Sequence, residues 1–82
     1  MREIIIIDVY NITGVGTVVV AKVAQGSIKE GDSIQVGNKI AKITMIEKKH
    51  KRVSYAMENE LVGIGLSGVD KREVKKGNYK II

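Results

Sequence analysis

The 82-residue sequence contains no cysteine, proline, phenylalanine or tryptophan. Without cysteine, the chain can form no disulfide and offers no thiolate nucleophile. His50 is the only histidine, so a structural zinc site is not expected either. The longest purely apolar runs, such as residues 4–7, are far too short for a membrane span or a signal-peptide core. These absences predict a cytoplasmic protein that needs no disulfide, metal or other cofactor.

Isoleucine and valine dominate the apolar residues, and β-branched side chains suit pleated, half-buried strands. Nine glycines divide the chain into short segments. The predicted strands are residues 3–10, 17–25, 33–36, 39–48, 61–67 and 79–82. No stretch shows a sustained helical period, although residues 69–74 predict one 3₁₀ turn. The sequence therefore predicts a single all-β domain over residues 1–82, either a small barrel or a sandwich.

The segments between these strands read as turns. Gly14 and Gly16 can supply the positive φ that a tight turn requires. Ile28 is the expected buried anchor of a turn, and Gly37-Asn38 is a hairpin signal. Residues 48–52 predict a loop or a strand end, and residues 53–57 predict a short irregular turn.

The segment 61–67 has the clearest alternation in the chain. One face carries Val62, Ile64 and Leu66, and the other carries Gly63, Gly65 and Ser67. A face of glycines allows a barrel to bend, or lets another backbone or a ligand approach closely.

The formal net charge of +5 favours acidic partners, above all nucleic acid. The alternative is a protein whose edge strands are simply coated with lysine. The positive charge is concentrated in a first basic segment (residues 48–52) and a second basic segment (residues 71–76). Their candidate RNA-binding residues are Lys48, Lys49, Lys51, Arg52, Lys71, Arg72, Lys75 and Lys76. Solvated loops without a partner remain the other interpretation of both segments.

Catalytic machinery is not indicated. The sequence contains no G-x-x-x-x-G-K-[ST] motif, so no phosphate-binding loop or nucleotide site of that kind is expected. Nothing pairs His50 with a nucleophile, and the scattered carboxylates suggest no acid–base pair. The chain is therefore predicted to be a binding module and not an enzyme.

Two stretches carry a family pattern. In the first, residues 8–10 read Asp-Val-Tyr and residues 14–18 read G-V-G-T-V. Lys22 then precedes residues 26–32, which fit G-x-I-K-x-G-D. In the second, residues 60–64 are followed by Gly68-Val69 and then by a basic-glycine step within residues 74–78.

In this order and spacing, the sequence resembles domain 2 of translational GTPases of the elongation factor Tu and elongation factor 1-alpha type. The resemblance covers nearly the whole chain, although each motif alone is of low specificity. It implies a six-stranded closed β-barrel with Greek-key elements.

The resemblance also implies contacts with RNA, since this domain of the elongation factors receives the aminoacyl end of tRNA and touches ribosomal RNA. The matching pocket positions are Asp8, Tyr10, Thr17 and Glu47, and Lys71 aligns with a basic residue near the tRNA end. The sequence departs from the family pattern at Ile7, Ala21 and Leu61, and a pocket without the family's polar groups holds an aminoacyl ester poorly. Asp8 is alternatively a turn or cap residue, and Tyr10 a packed barrel aromatic.

Two functions are therefore open. One is a module of the translation apparatus that contacts ribosomal RNA or tRNA through its basic loops. The other is a protein-interaction module that docks on a GTPase or another translation factor, which predicts a contiguous apolar patch on the barrel.

Overall fold

Nine antiparallel strands and one short helix make up the computed structural model, which describes residues 1–82. The strands are β1 (Glu3–Ile12), β2 (Gly16–Gln25), β3 (Ile28–Lys29), β4 (Ser33–Val36), β5 (Lys39–Lys48), β6 (Lys51–Val53), β7 (Tyr55–Ala56), β8 (Leu61–Ser67) and β9 (Gly77–Lys80). A 3₁₀ helix, Lys71–Glu73, lies between β8 and β9, within the segment where the sequence predicted one. No helix in the structure has the length or the apolar character to cross a membrane.

Six of the strands form the barrel wall in the order β4-β5-β8-β2-β1-β9. The wall closes between β9 and β4 through a bridge that joins Ile34 and Ile81. At the same seam the Ile82 amide donates to the Ser33 carbonyl at 2.9 Å. Because β2 lies between β1 and β8, the chain crosses between non-consecutive strands, as Greek-key elements require. The predicted six-stranded all-β barrel is confirmed.

The core consists of 17 buried apolar residues, most of them on the inward faces of these strands. The alternation predicted for β8 is confirmed, because Val62, Ile64 and Leu66 are all buried. Ile28 is buried as predicted. Burying each such side chain contributes on the order of 1.5–3 kcal/mol, so the barrel is held together chiefly by its isoleucine and valine contacts.

Several turns follow the glycines. Gly14 and Gly16 have φ of 83° and 102°, and they close the hairpin between β1 and β2. The irregular turn predicted for residues 53–57 is instead the short strand β7, which pairs with β3. That pairing sets the fully buried Ala56 opposite Ile28. A pairing with a partner so distant in sequence leaves no local signal, which explains why the prediction was wrong there.

Candidate nucleic-acid interface

A groove of about 400 Å³ crosses the outer wall of the barrel over β1, β2, β8 and β5. Its lining is mainly apolar on the β1, β2 and β8 side, and polar at the β5 end. The lining residues are Tyr10, Ile12, Val18, Val20, Leu61, Val62 and Gly63, together with Glu47, Lys49 and His50.

The groove results from the cross-strand register. Gly63 pairs with Glu47 on β5 and with Val20 on β2, and Val20 in turn pairs with Asp8 on β1. Because Gly63 has no side chain, the floor between Glu47 and Val20 is main chain. The glycine face predicted for this strand is therefore open at Gly63, whereas Gly65 is buried.

Tyr10 stands on the β1 side of the groove with 45% of its surface exposed. Its hydroxyl donates to Asp8 Oδ2 at 2.8 Å, and the Val9 amide donates to Asp8 Oδ1 at 3.0 Å. These two hydrogen bonds, with weaker help from the charges of Lys76 and Lys71, lower the pKa of the Asp8 carboxyl. The same hydrogen bond raises the pKa of the Tyr10 hydroxyl. Asp8 thus stays ionised and orients the exposed ring.

The first basic segment divides into paired and free side chains. Lys48 forms an ion pair with Glu60. Arg52 Nε lies 2.8 Å from Glu30 Oε2, and a second guanidinium nitrogen lies 3.3 Å from Glu30 Oε1. Hydrogen bonds from Lys48 and Arg52 lower the pKa values of the Glu60 and Glu30 carboxyls respectively. Lys49 and Lys51, by contrast, are exposed and make no ion pair.

The tip of this segment is a strained turn. Lys48 and Lys51 are cross-strand partners, so Lys49 and His50 form a two-residue hairpin loop. Their φ values are 52° and 66°, and positive φ at both central residues is the geometry of a type I′ turn. Asn-Gly is preferred in such turns, because other L-residues cost roughly 1–2 kcal/mol each in the left-handed region. Both strained residues line the groove.

The second basic segment lies next to the β1 side of the same wall. Asp70 caps the 3₁₀ helix by accepting from the Arg72 amide at 2.9 Å. Lys71 and Arg72 border a shallow cavity of about 330 Å³ together with Asn11 of β1. Lys71, Lys75 and Lys76 are exposed and make no ion pair. The fold therefore sets free lysines on both sides of the groove.

The four family pocket positions have different environments. Tyr10 and Glu47 line the groove, and Asp8 lies beside it as the partner of Tyr10. Thr17 is buried, and its hydroxyl donates to the Val69 carbonyl at 2.9 Å. Thr17 therefore fixes the segment after β8 and does not face the groove.

Sequence reasoning missed the apolar lining of the groove, namely Ile12, Val18, Val20 and Leu61. One signal was available in β2, where the run of valines continues through both faces of the strand. A strand exposed on one face normally alternates with polar residues. Val18 and Val20 break that alternation, and this pattern indicates an outer surface that is covered or used for binding.

A family model described as elongation factor Tu domain 2 matches residues 16–79. The chain belongs to the elongation factor Tu domain 2 family. Elongation factor 1-alpha from Pyrobaculum arsenaticum is 39% identical over 73 residues, a region that covers 87% of this chain and 16% of that protein. The protein of the same name from Saccharolobus solfataricus is 38% identical over 73 residues, covering 87% of this chain and 17% of the relative. The chain thus spans about a sixth of the length of the curated relatives it matches.

Solved structures agree with this family. Translation elongation factor SelB from Methanococcus maripaludis superposes with a TM-score of 0.83 at 26% identity, over 98% of this chain and 18% of that chain. A bacterial selenocysteine-specific elongation factor superposes with a TM-score of 0.84 at 24% identity, over 96% of this chain and 14% of that chain, which supports the shared fold. Domain 2 of translational GTPases is a non-catalytic domain, and the GTPase activity lies in a different domain. The residues described here form a translation-factor module of that non-catalytic kind.

Proposed function

We propose that this elongation factor Tu domain 2 module contacts ribosomal RNA or tRNA through exposed lysines on both sides of the groove. The observation that carries the proposal is the position of that groove. Lys49 lines its β5 end, and Lys71 lies beyond its β1 side, where it borders the same shallow cavity as Asn11, the residue between the groove residues Tyr10 and Ile12.

The chemistry of this surface suits RNA. Unpaired lysines can neutralise phosphates without first giving up an intramolecular partner. An exposed aromatic ring beside apolar side chains can stack on an unpaired base. Lys48 and Arg52 are assigned a structural role instead, since Glu60 and Glu30 already hold their charged groups.

The test is retention of purified ribosomes and bulk tRNA from the source organism over a range of salt concentrations. Retention should weaken as salt rises. Replacing Lys49 and Lys51 by alanine should weaken tRNA binding and reduce the salt slope by about 0.7 for each phosphate that the variant no longer neutralises. Both side chains are exposed and unpaired, so the fold should be unaffected.

The matched control is the replacement of Lys42 and Lys80 by alanine. These lysines are also exposed and unpaired, and neither belongs to a basic segment. The control makes the same change in net charge, so it should weaken binding less. If the two double variants lost equal tRNA affinity, overall charge alone would explain the loss, and the proposed site would be contradicted.

A second candidate function is docking on a protein partner, such as a GTPase or another translation factor. It is favoured by the apolar lining of the groove, where Ile12 is 45% exposed and Leu61 is 59% exposed. A pull-down from lysate with and without ribonuclease separates the two functions. A translation factor recovered equally well after ribonuclease treatment would favour docking, whereas loss of the captured material would favour RNA.

A further inference from the structure

We propose that a second cavity, at one end of the barrel, binds an acidic peptide segment of a protein partner through an apolar anchor side chain. The cavity has a volume of about 410 Å³. It is lined by Lys48, Val53, Ser54, Tyr55, Met57 and Glu60. None of these residues lines the groove, so the proposal goes beyond the RNA contact and does not depend on it.

The cavity lies where the inward face of β5 continues onto β6. Ile46 is fully buried and is the cross-strand partner of Val53, which packs against the core. Lys48 and Lys51 are the next pair on the same face, because side chains alternate along a strand. Glu47, which lines the groove, belongs to the opposite face. The cavity therefore begins at the apolar core and has a lysine pair beyond it.

Two exposed apolar side chains line the cavity together with Val53. Ala56 on β7 is fully buried, and its neighbours Tyr55 and Met57 are 58% and 53% exposed. The Tyr55 hydroxyl makes no hydrogen bond within the chain, whereas the hydroxyls of the other two tyrosines each have a partner. Tyrosine is enriched among the residues that dominate interface energies, and flexible methionine adapts to varied apolar partners. These two side chains are suited to holding an aliphatic or aromatic anchor.

The charges around the cavity favour an acidic partner. Glu60 forms an ion pair with Lys48, and its other oxygen accepts from the Met57 amide at 2.7 Å. The carboxylate in the lining is therefore neutralised. Lys51 is exposed and makes no ion pair, so the free charge beside the cavity is positive. A carboxylate next to the anchor of the partner would pair with Lys51.

Nucleic acid fits this cavity less well. A phosphate backbone is held by free cations, and the only lysine in the lining, Lys48, is already bound by Glu60. The apolar walls instead match a peptide side chain. This distinguishes the cavity from the groove, whose neighbouring lysines are free.

The experiment titrates the blocked peptide acetyl-EDLFDE-amide into the isotope-labelled full chain while amide chemical shifts are recorded. We expect saturable shifts at residues 51–57 and at Glu60. Peptides in which LF is replaced by SS, or the acidic residues by lysine, should shift these amides far less. A uridine hexanucleotide, titrated in parallel, should leave them unmoved. No saturable shift with EDLFDE, an equal response to the lysine peptide, or a stronger response of the same amides to the RNA would overturn the proposal.

Variants identify the residues that bind. Tyr55→Ala and Met57→Ala should each weaken EDLFDE binding at least about fivefold, and Lys51→Ala should weaken it about two- to threefold. Ile40→Ala is the matched control, because Ile40 is 55% exposed but lies outside the cavity, and it should bind the peptide as the wild type does. All four side chains are exposed, so the fold should be unaffected.

Unchanged affinity in Tyr55→Ala and Met57→Ala, or an equal loss in Ile40→Ala, would overturn the proposal. Retention of tRNA by Tyr55→Ala should equal that of the wild type. Failure of the peptide site therefore leaves the RNA contact standing, and failure of the RNA contact leaves the peptide site standing.

Discussion

At the scale of single residues, Asp32 shows how a charge is accommodated inside so small a barrel. Only 8% of its surface is exposed. The Lys29 amide donates to Asp32 Oδ2 at 2.9 Å, and the Arg2 guanidinium donates to the same oxygen at 2.6 Å. Burial opposes ionisation of this carboxyl, but the two hydrogen bonds and the charges of Arg2 and Lys29 outweigh it and lower its pKa. The carboxylate thereby ties the start of the chain to the turn before β4.

Removing this carboxylate should destabilise the fold. We expect Asp32→Ala to lower the free energy of unfolding by about 1–3 kcal/mol, because the Lys29 amide and the Arg2 guanidinium are both left without their acceptor. Denaturant unfolding at neutral pH measures the change. Gln35→Ala, a truncation at an exposed position of β4, should change stability far less. Similar effects in the two variants would contradict the role assigned to Asp32.

The same residue predicts a pH dependence. The pKa of Asp32 in the folded state lies below its ordinary value of 3.8, so its contribution is fully present above that value. That contribution is lost as pH falls through the lower folded-state pKa. Wild-type stability should therefore decline below about pH 4, and the decline should be shallower in Asp32→Ala. Parallel stability curves for the two proteins between about pH 5 and pH 2 would show that the acid sensitivity arises elsewhere.

At the scale of elements, β8 contains two glycines in different environments, one open and one closely packed. Gly63 lies in the open groove, whereas Gly65 is covered by β5 where the register shifts between Ile43 and Met45. The shift brings Thr44 and Met45 over Gly65. One strand thus forms part of the open groove at one end of its outer face and packs tightly against its neighbour at the other.

A methyl group at Gly65 should be unfavourable. We expect Gly65→Ala to lower the free energy of unfolding by about 1–2 kcal/mol, because the added atom forces Thr44 or Met45 to shift. Gly63→Ala in the same strand is the control, because both variants gain the same amount from replacing glycine by alanine. Denaturant unfolding measures the free energy of unfolding of each variant. Equal free energies of unfolding for Gly65→Ala and Gly63→Ala would mean that Thr44 moves aside without an energetic cost.

At the scale of the whole molecule, stability depends on closing the barrel. The seam between β9 and β4 consists of the Ile34–Ile81 bridge and the hydrogen bond from Ile82 to Ser33. The Ile81 amide also donates to the Arg2 carbonyl at 3.0 Å. A domain of this size has a free energy of unfolding of only about 4–12 kcal/mol. A few interactions at the seam are therefore a large part of that stability.

Truncation at the seam should therefore have a global effect. We expect Ile81→Ala to lower the free energy of unfolding by about 2–4 kcal/mol, because it removes a largely buried side chain at the seam between β9 and β4. Hydrogen exchange should show the earliest loss of protection in β4 and β9. Ile82→Ala, at an exposed neighbouring position, is the matched control. If the amides of β2 and β8 lost protection at the same rate as those of the seam, the barrel would open as one unit.

The six strands of the barrel wall, in their order along the chain, and the inward face of β8 could be predicted from the sequence alone. The reason is local, since side chains alternate with a period of two and β-branched residues mark the buried face of β8 and β4. Glycines predicted the turns before β2 and between β4 and β5 in the same way, because few other residues tolerate positive φ. The Lys49-His50 turn has no glycine and therefore no such signal. The family motifs are local as well, which is why they indicated the barrel correctly.

The groove was decided by tertiary structure. A period of two is compatible with many registers, and only the observed pairing sets Gly63 between Glu47 and Val20 and seats Tyr10 beside them. The same holds for charge. Lys48 to Arg52 form one basic run in sequence, yet the fold pairs Lys48 with Glu60 and Arg52 with Glu30 and leaves Lys49 free. A charge is paired or free according to which carboxylates the fold brings within hydrogen-bond reach, and that depends on strands distant in sequence.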